Sequence, residues 1–305
     1  MTNNKEIKTV SIIGLGALGI LYGHHLSKIM PHDNLRIIAD QSRINRYRQD
    51  RVYCNNEQCD FNFVPPEDKT GPSDLIIFTV KNNNLHEAIE AVKNQVGAHT
   101  TIISLLNGIT SEDIIGRRYD MDKFLYSVAQ GMDAVKSENR MTYEHMGIIC
   151  FGDQEPGYLS SKTKTLAAFF DQHGVPYEID KNMPRKLWNK FMLNVGVNQA
   201  VAVFGECYGD VQKDGRPREI MIEAMREVIP LAEKEGLDFS EKDIDYWLKV
   251  IGSLSPRGKP SMRQDIEANR ETEVDLFSGT VLQLGKKHSL STPVNQLLYE
   301  RIKAL

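Results

Sequence analysis

Lys190, Asn194 and Asn198 stand four residues apart in a run otherwise rich in Phe, Met, Leu and Val. At 100° per residue each four-residue step drifts by 40°, so on an α-helix all three lie within about 80° of one another. They form one polar ridge on an apolar helix. Such groups need partners, because an unsatisfied buried polar group costs roughly 1–3 kcal/mol and more at worst. The partner is either the protein's own structure or a ligand carrying a carbonyl and a carboxylate. In the second case the chemistry is ketone reduction. A lysine can deliver a proton to the carbonyl oxygen as hydride arrives at carbon, and partial desolvation eases that delivery. Two asparagines orient the substrate without adding charge.

A hydride donor needs its own site, and an early segment fits one. Gly14-Leu15-Gly16-Ala17-Leu18-Gly19 follows a strand-like run at 9–13 and opens a helical run at 17–30, which Pro31 stops. The first glycine permits the tight turn, the second lets the backbone approach a pyrophosphate, and the third lets helix and strand pack closely. The helix N-terminus then offers free N–H groups and a positive dipole end to the phosphates. The bland alternative is three glycines in a plain strand-to-helix turn. Asp40 follows Gly19 by 21 residues, at the end of the second strand-like run. An acid there accepts from the adenosine ribose 2′-OH and favours NAD. Arg43 opens a segment with four arginines (Arg43, Arg46, Arg48 and Arg51) and is close enough in sequence to meet a 2′-phosphate, which favours NADP. A solvated helix face is the bland reading of the other arginines. Glu273, within Glu271-Thr272-Glu273-Val274-Asp275, reads on charge pattern alone as a solvated acid.

The elements that would position these groups fall into two halves. Apolar runs at 9–13, 35–39, 75–80 and 101–105 alternate with helical patterns, which implies parallel βαβ units in a doubly wound sheet. Further strand-like runs lie at 124–129 and 147–151. From about residue 185 the pattern turns helical, over 185–204, 218–235, 241–251 and 265–288, with a Pro/Gly loop at 253–260. The reading is two domains, 1–182 and 183–305, with Pro184 in the first turn of the opening helix of the second.

Five segments in this order resemble the ketopantoate reductases, or 2-dehydropantoate 2-reductases, over nearly the full length. They are the glycine turn at 14–19, Val80-Lys81, Leu105-Leu106-Asn107-Gly108, the Lys190-Asn194-Asn198 ridge, and Ser261-Met262-x-Gln264-Asp265 running to Thr272-Glu273-Val274-Asp275. The resemblance implies an N-terminal Rossmann-type domain followed by an all-α domain, with the active site in the cleft between. It implies NADPH-dependent reduction of 2-dehydropantoate to (R)-pantoate in pantothenate and coenzyme A biosynthesis. Lys190 would match the general acid and Glu273 the acid that binds and polarises substrate. Asn194, Asn198 and Ser261 would match substrate contacts, and Lys81 and Asn107 would line the nicotinamide end. Three departures stand out. Asp40 occupies a position where many members carry arginine. Gln199-Ala200-Val201-Ala202 replaces a common Ala-Leu-Thr-Ala run. Tyr208 and Gly258 replace asparagines that touch substrate in some members. These departures keep open a D-2-hydroxyacid dehydrogenase acting on another branched or aromatic 2-keto acid. A non-catalytic dinucleotide-binding module is the second alternative.

The 305-residue chain has a net charge of −4 and 41% hydrophobic residues, which argues against a polyanion-binding surface and against wholesale disorder. Its longest apolar stretch, 10–21, is too short to span a bilayer. Four cysteines make no disulfide scaffold, and Cys54 and Cys59 lack the second ligand pair a metal would need and read as incidental thiols of a hairpin. A reduced cytoplasmic enzyme with a small-molecule 2-keto acid substrate, NADP or NAD and no metal is the expectation. The long helices of the second half offer a face for a homodimer.

Overall fold

The computed structural model describes residues 6–305, and the chain divides into two compact units, Met1–Met183 and Pro184–Leu305. The first unit runs β1 (Val10–Ile13), α1 (Ala17–Ser27), β2 (Leu35–Ile38), α2 (Gln41–Asp50), β3 (Tyr53–Cys54), β4 (Glu57–Gln58), β5 (Asn62–Val64), β6 (Leu75–Phe78), α3 (Leu85–Ala91), β7 (Thr101–Ser104), α4 (Ser111–Tyr119), β8 (Phe124–Gln130), β9 (Val135–Ser137), β10 (Arg140–Thr142), β11 (Ile148–Gly152), α5 (Ser161–His173) and β12 (Tyr177–Ile179). Eight strands form one sheet in the order β12-β11-β8-β7-β6-β1-β2-β5. β1, β2, β6 and β7 are buried along their whole length, which explains their predominantly apolar sequence, and the buried Arg36 of β2 bonds Gly71 O and Gln95 Oε1. Register pairs Ile13 with both Ile38 and Phe78, so the segments after β1, β2 and β6 leave the sheet side by side.

The sheet is mixed, because β11 runs antiparallel to β8. A second, four-stranded sheet has the order β4-β3-β10-β9 and contains the hairpin expected between Cys54 and Cys59. Its β3–β4 hairpin turns at Asn55 and Asn56, both at positive φ, as a two-residue primed turn requires. Cys54 and Cys59 flank that hairpin as buried free thiols, with burial pushing them up to about 11 and about 12.

The second unit is helical: α6 (Met183–Leu193), α7 (Gln199–Phe204), α8 (Tyr208–Gln212), α9 (Arg216–Lys234), α10 (Glu241–Ser253), α11 (Ser261–Glu267), α12 (Thr280–His288) and α13 (Pro293–Lys303). α9 is its spine, packing against α7, α8, α10, α12 and α13. Two expected helices are interrupted. The 185–204 run contains a π-helical turn, Asn194–Asn198. There Gly196 lies so close to α9 that a Cβ would stand 2.5 Å from Met225 Cε. The 265–288 run breaks after α11, where Asn269 takes φ +50°. The N–H of Arg270 bonds Asp265 O at 2.8 Å and that of Asn269 bonds Ile266 O at 3.0 Å, the hydrogen-bond pair of a Schellman stop. Glu273 therefore lies in the connection before a second π turn, Asp275–Gly279, and not within a long helix. No helix among the described residues is long and apolar enough to cross a membrane.

Candidate active site

The turn after β1 requires its glycines for different reasons. Gly14 sits at φ +101°, and a Cβ there would stand 2.8 Å from Val80 N. A Cβ on Gly19 would stand 1.9 Å from Gly14 O. Gly16 is different: it is the extended N-cap of α1, and a Cβ would meet only Thr79 O, at 3.5 Å. Among the described residues no side chain caps α1 and no acid lies in its first turn, so its leading N–H groups remain for an anion. Leu15 is buried, and Ala17 and Leu18 pack against the core, so these three can offer a ligand mainly backbone. Thr79, which sequence reading missed, braces the turn. Its hydroxyl lies 2.6 Å from Gly14 O and 3.0 Å from Ile13 O. These features fit a nicotinamide dinucleotide, whose pyrophosphate the α1 N-terminus would hold.

Asp40 is the N-cap of α2, and its Oδ1 accepts the N–H of Arg43 at 2.9 Å. Arg43 Nε lies 3.4 Å from Asp40 Oδ2, while Nη1 donates to Glu87 Oε1 at 3.1 Å. Lys81 follows β6 as the N-cap of a short 3₁₀ turn, and Asn107 lies between β7 and α4; both are partnered. The same connection leads to Glu112, 2% exposed, whose Oε2 accepts from Ser111 Oγ at 3.1 Å. Its Oε1 has no partner among the described residues, and burial pushes its carboxyl up to about 7.

In the helical unit the two ridge asparagines meet. Lys190 occupies the last turn of α6, and the π turn begins at Asn194. Asn198 Oδ1 accepts from Ser261 Oγ and from Met262 N, each at 3.2 Å. Its Nδ2 donates to Asn194 Oδ1 at 3.1 Å. That bond fixes the Asn194 amide and leaves Asn194 Nδ2 buried without a partner among the described residues. The Ser261 and ridge segments are thus one hydrogen-bonded relay that ends on an unused donor. The Asn194–Asn198 turn packs against Asp275–Gly279, the turn that follows Glu273. Lys190 and Glu273 are each partnered. An ammonium, an orphaned amide N–H and a carboxylate on one helical unit are groups that can bind and protonate a small oxygen-rich molecule with a reducible carbonyl.

Both halves of the chain match one family. Residues 10–156 match "Ketopantoate reductase PanE/ApbA" and residues 182–305 match its C-terminal part. The chain belongs to the ketopantoate reductase family. It is 26% identical to a 2-dehydropantoate 2-reductase of Aquifex aeolicus, covering 96% of this chain and 95% of that one. It is 24% identical to the Streptococcus pyogenes enzyme of that name, covering 97% of each. Among solved structures, D-mandelate dehydrogenase with NADH and anilino(oxo)acetate superposes with a TM-score of 0.86 at 20% identity, covering 97% of each chain. A dimeric ketopantoate reductase from Staphylococcus aureus superposes with a TM-score of 0.79 at 20% identity, covering 97% of this chain and 98% of that one. The chain is accordingly an oxidoreductase of this family.

Two departures from the family pattern now separate. Gln199 is fully buried and consumed by structure. Its Nε2 donates to Val195 O at 2.7 Å and lies 3.3 Å from Asn295 Oδ1, and its Oε1 accepts from Ser278 N at 3.2 Å. It is a core tie, not a pocket group. Tyr208 and Gly258 form a matched pair instead: Tyr208 N donates to Gly258 O at 2.9 Å, and a Cβ on Gly258 would stand 3.0 Å from the tyrosine ring. The pair sets one bulky ring against a position with no side chain.

Proposed function

We propose that this chain reduces the ketone of 2-dehydropantoate to the alcohol of (R)-pantoate. The nicotinamide dinucleotide supplies the hydride when bound. Lys190 gives the proton to the ketone oxygen. Asn194 Nδ2 donates to the substrate's oxygen, held in aim by Asn198, which Ser261 and Met262 anchor in turn. Glu273 binds the substrate's polar end. The observation that carries this reading is the orphaned Asn194 donor one turn after Lys190, on a helix otherwise packed into an apolar core. Purified protein is expected to oxidise NADPH or NADH on addition of ketopantoate. Lys190→Ala is expected to lose roughly 10²–10⁴-fold in kcat, the usual contribution of a positioned acid. Wild-type turnover in that variant would remove Lys190 from the role.

The Tyr208–Gly258 pair supports a second reading, a D-2-hydroxyacid dehydrogenase acting on a bulkier branched or aromatic 2-keto acid. The reaction centre is the same and the acyl pocket differs. A panel of 2-keto acids ranked by kcat/KM separates the two, with ketopantoate first under the main reading and an aromatic 2-keto acid first under the second.

A further inference from the structure

The geometry points to a coenzyme discriminator made of Asp40, Arg43 and Glu87, which accepts NADH and rejects NADPH. The inference rests on reading the glycine turn as a nicotinamide dinucleotide site. β2 and β6 flank β1 on its two sides, so Asp40, beyond β2, and Glu87, on the helix after β6, both lie beside the phosphate turn. Arg43 is the cation placed to meet a 2′-phosphate, and its fork is already engaged. Nη1 and Nη2 face the two oxygens of Glu87 at 3.1 and 3.5 Å, the paired geometry a phosphate would need. Its Nε faces Asp40 at 3.4 Å. Two carboxylates and one guanidinium leave this cluster with one net negative charge.

A 2′-phosphate would have to displace Glu87 and then stand beside Asp40. A ribose diol meets the opposite situation. A carboxylate has about four acceptor sites; Arg43 takes one on Asp40 through its backbone N–H, while Nε stands 3.4 Å from the other oxygen. The side chains of Asp40 and Arg43 are 41% and 40% exposed, so a ligand can reach them. Of the other arginines of this segment, Arg46 lies over the Tyr47 ring and Arg51 donates to Gln58. Asp40 is thus the acceptor for the diol, and Glu87 is a positioning residue that disarms Arg43. No local pattern marks Glu87, which lies 44 residues from its partner.

Titrating NADH and NADPH by nicotinamide fluorescence, with no keto acid present, tests this directly. The wild-type protein is expected to bind NADH at least about tenfold more tightly, a difference of 1.4 kcal/mol. Glu87→Gln frees the guanidinium and is expected to cut that preference at least about threefold, an effect mere loss of packing would not confine to one coenzyme. Adding Asp40→Ser, which keeps a competent N-cap for α2, is expected to invert the preference. Equal or tighter NADPH binding by the wild type would overturn the discriminator, as would a ratio that Glu87→Gln leaves in place. Binding of neither coenzyme would overturn the dinucleotide reading and the discriminator with it. NADH-selective binding without ketopantoate turnover would support the discriminator and count only against the substrate.

Discussion

Spacing can put Asn194 and Asn198 on one side of a helix, but it cannot say which amide faces protein and which faces ligand. The hydrogen bonds decide that. Asn198 spends both ends of its amide on Ser261, Met262 and Asn194, so its part in substrate binding is indirect. Asn198→Asp separates anchoring from aiming. The new carboxylate still accepts from Ser261 and Met262, but it repels Asn194 Oδ1. The Asn194 amide then turns to donate inward and presents an acceptor where the donor stood. KM for the keto acid is expected to rise at least about tenfold, since a bond to a charged group is worth about 1.5–3 kcal/mol. Coenzyme affinity is expected to stay put. An unchanged KM would mean that Asn194 does not touch substrate.

At the level of elements, what the sequence disclosed was the strand, turn and helix around the glycines, because each glycine does a separate steric task. Gly19 and Gly16 make contrasting probes. Gly19→Ala drives a methyl into Gly14 O and must push α1 from the sheet, costing stability. Gly16→Ala meets only Thr79 O, at ordinary contact distance, on a backbone any residue adopts. Its methyl instead stands where a pyrophosphate approaches. Gly16→Ala is therefore expected to melt within about a degree or two of wild type, as surface changes do, while losing coenzyme affinity at least about tenfold in a fluorescence titration. A coenzyme site elsewhere would leave that affinity unmoved. Both π turns were invisible to a 3.6-residue period, because they depend on packing partners far along the chain. Gly196 against Met225 is one such contact, and Ser278 bonded to Gln199 is another. The break at Asn269 carried a fainter local signal, an asparagine able to take positive φ.

For the molecule as a whole, the legible part was the alternation that makes the central strands parallel, since parallel strands send their following segments out at one edge. The antiparallel β8–β11 pair and the β3–β10 pair that joins two hairpins into the small second sheet are set by long-range pairing, and short local runs do not encode that. The same edge carries a carboxyl whose burial couples stability to pH. Glu112 accepts from the Ser111 hydroxyl, which also bonds the buried Ser104 hydroxyl. Desolvation raises it from 4.5 to about 7, against the weaker pull of its own backbone and of Ser111. Unfolded, the group titrates near its ordinary value, so between the two the folded state holds the extra proton. Stability from this group is therefore full below about pH 4.5 and falls as pH rises to about 7, by about 3 kcal/mol once fully ionised. Glu112→Gln removes that loss. Its melting temperature is expected to exceed wild type by only about 1–3 °C at pH 5 and by roughly 5–10 °C at pH 8. Melting curves of the two proteins across pH 5–8 decide the matter, because a constant offset would show that Glu112 keeps its charge state throughout and finds a partner for it.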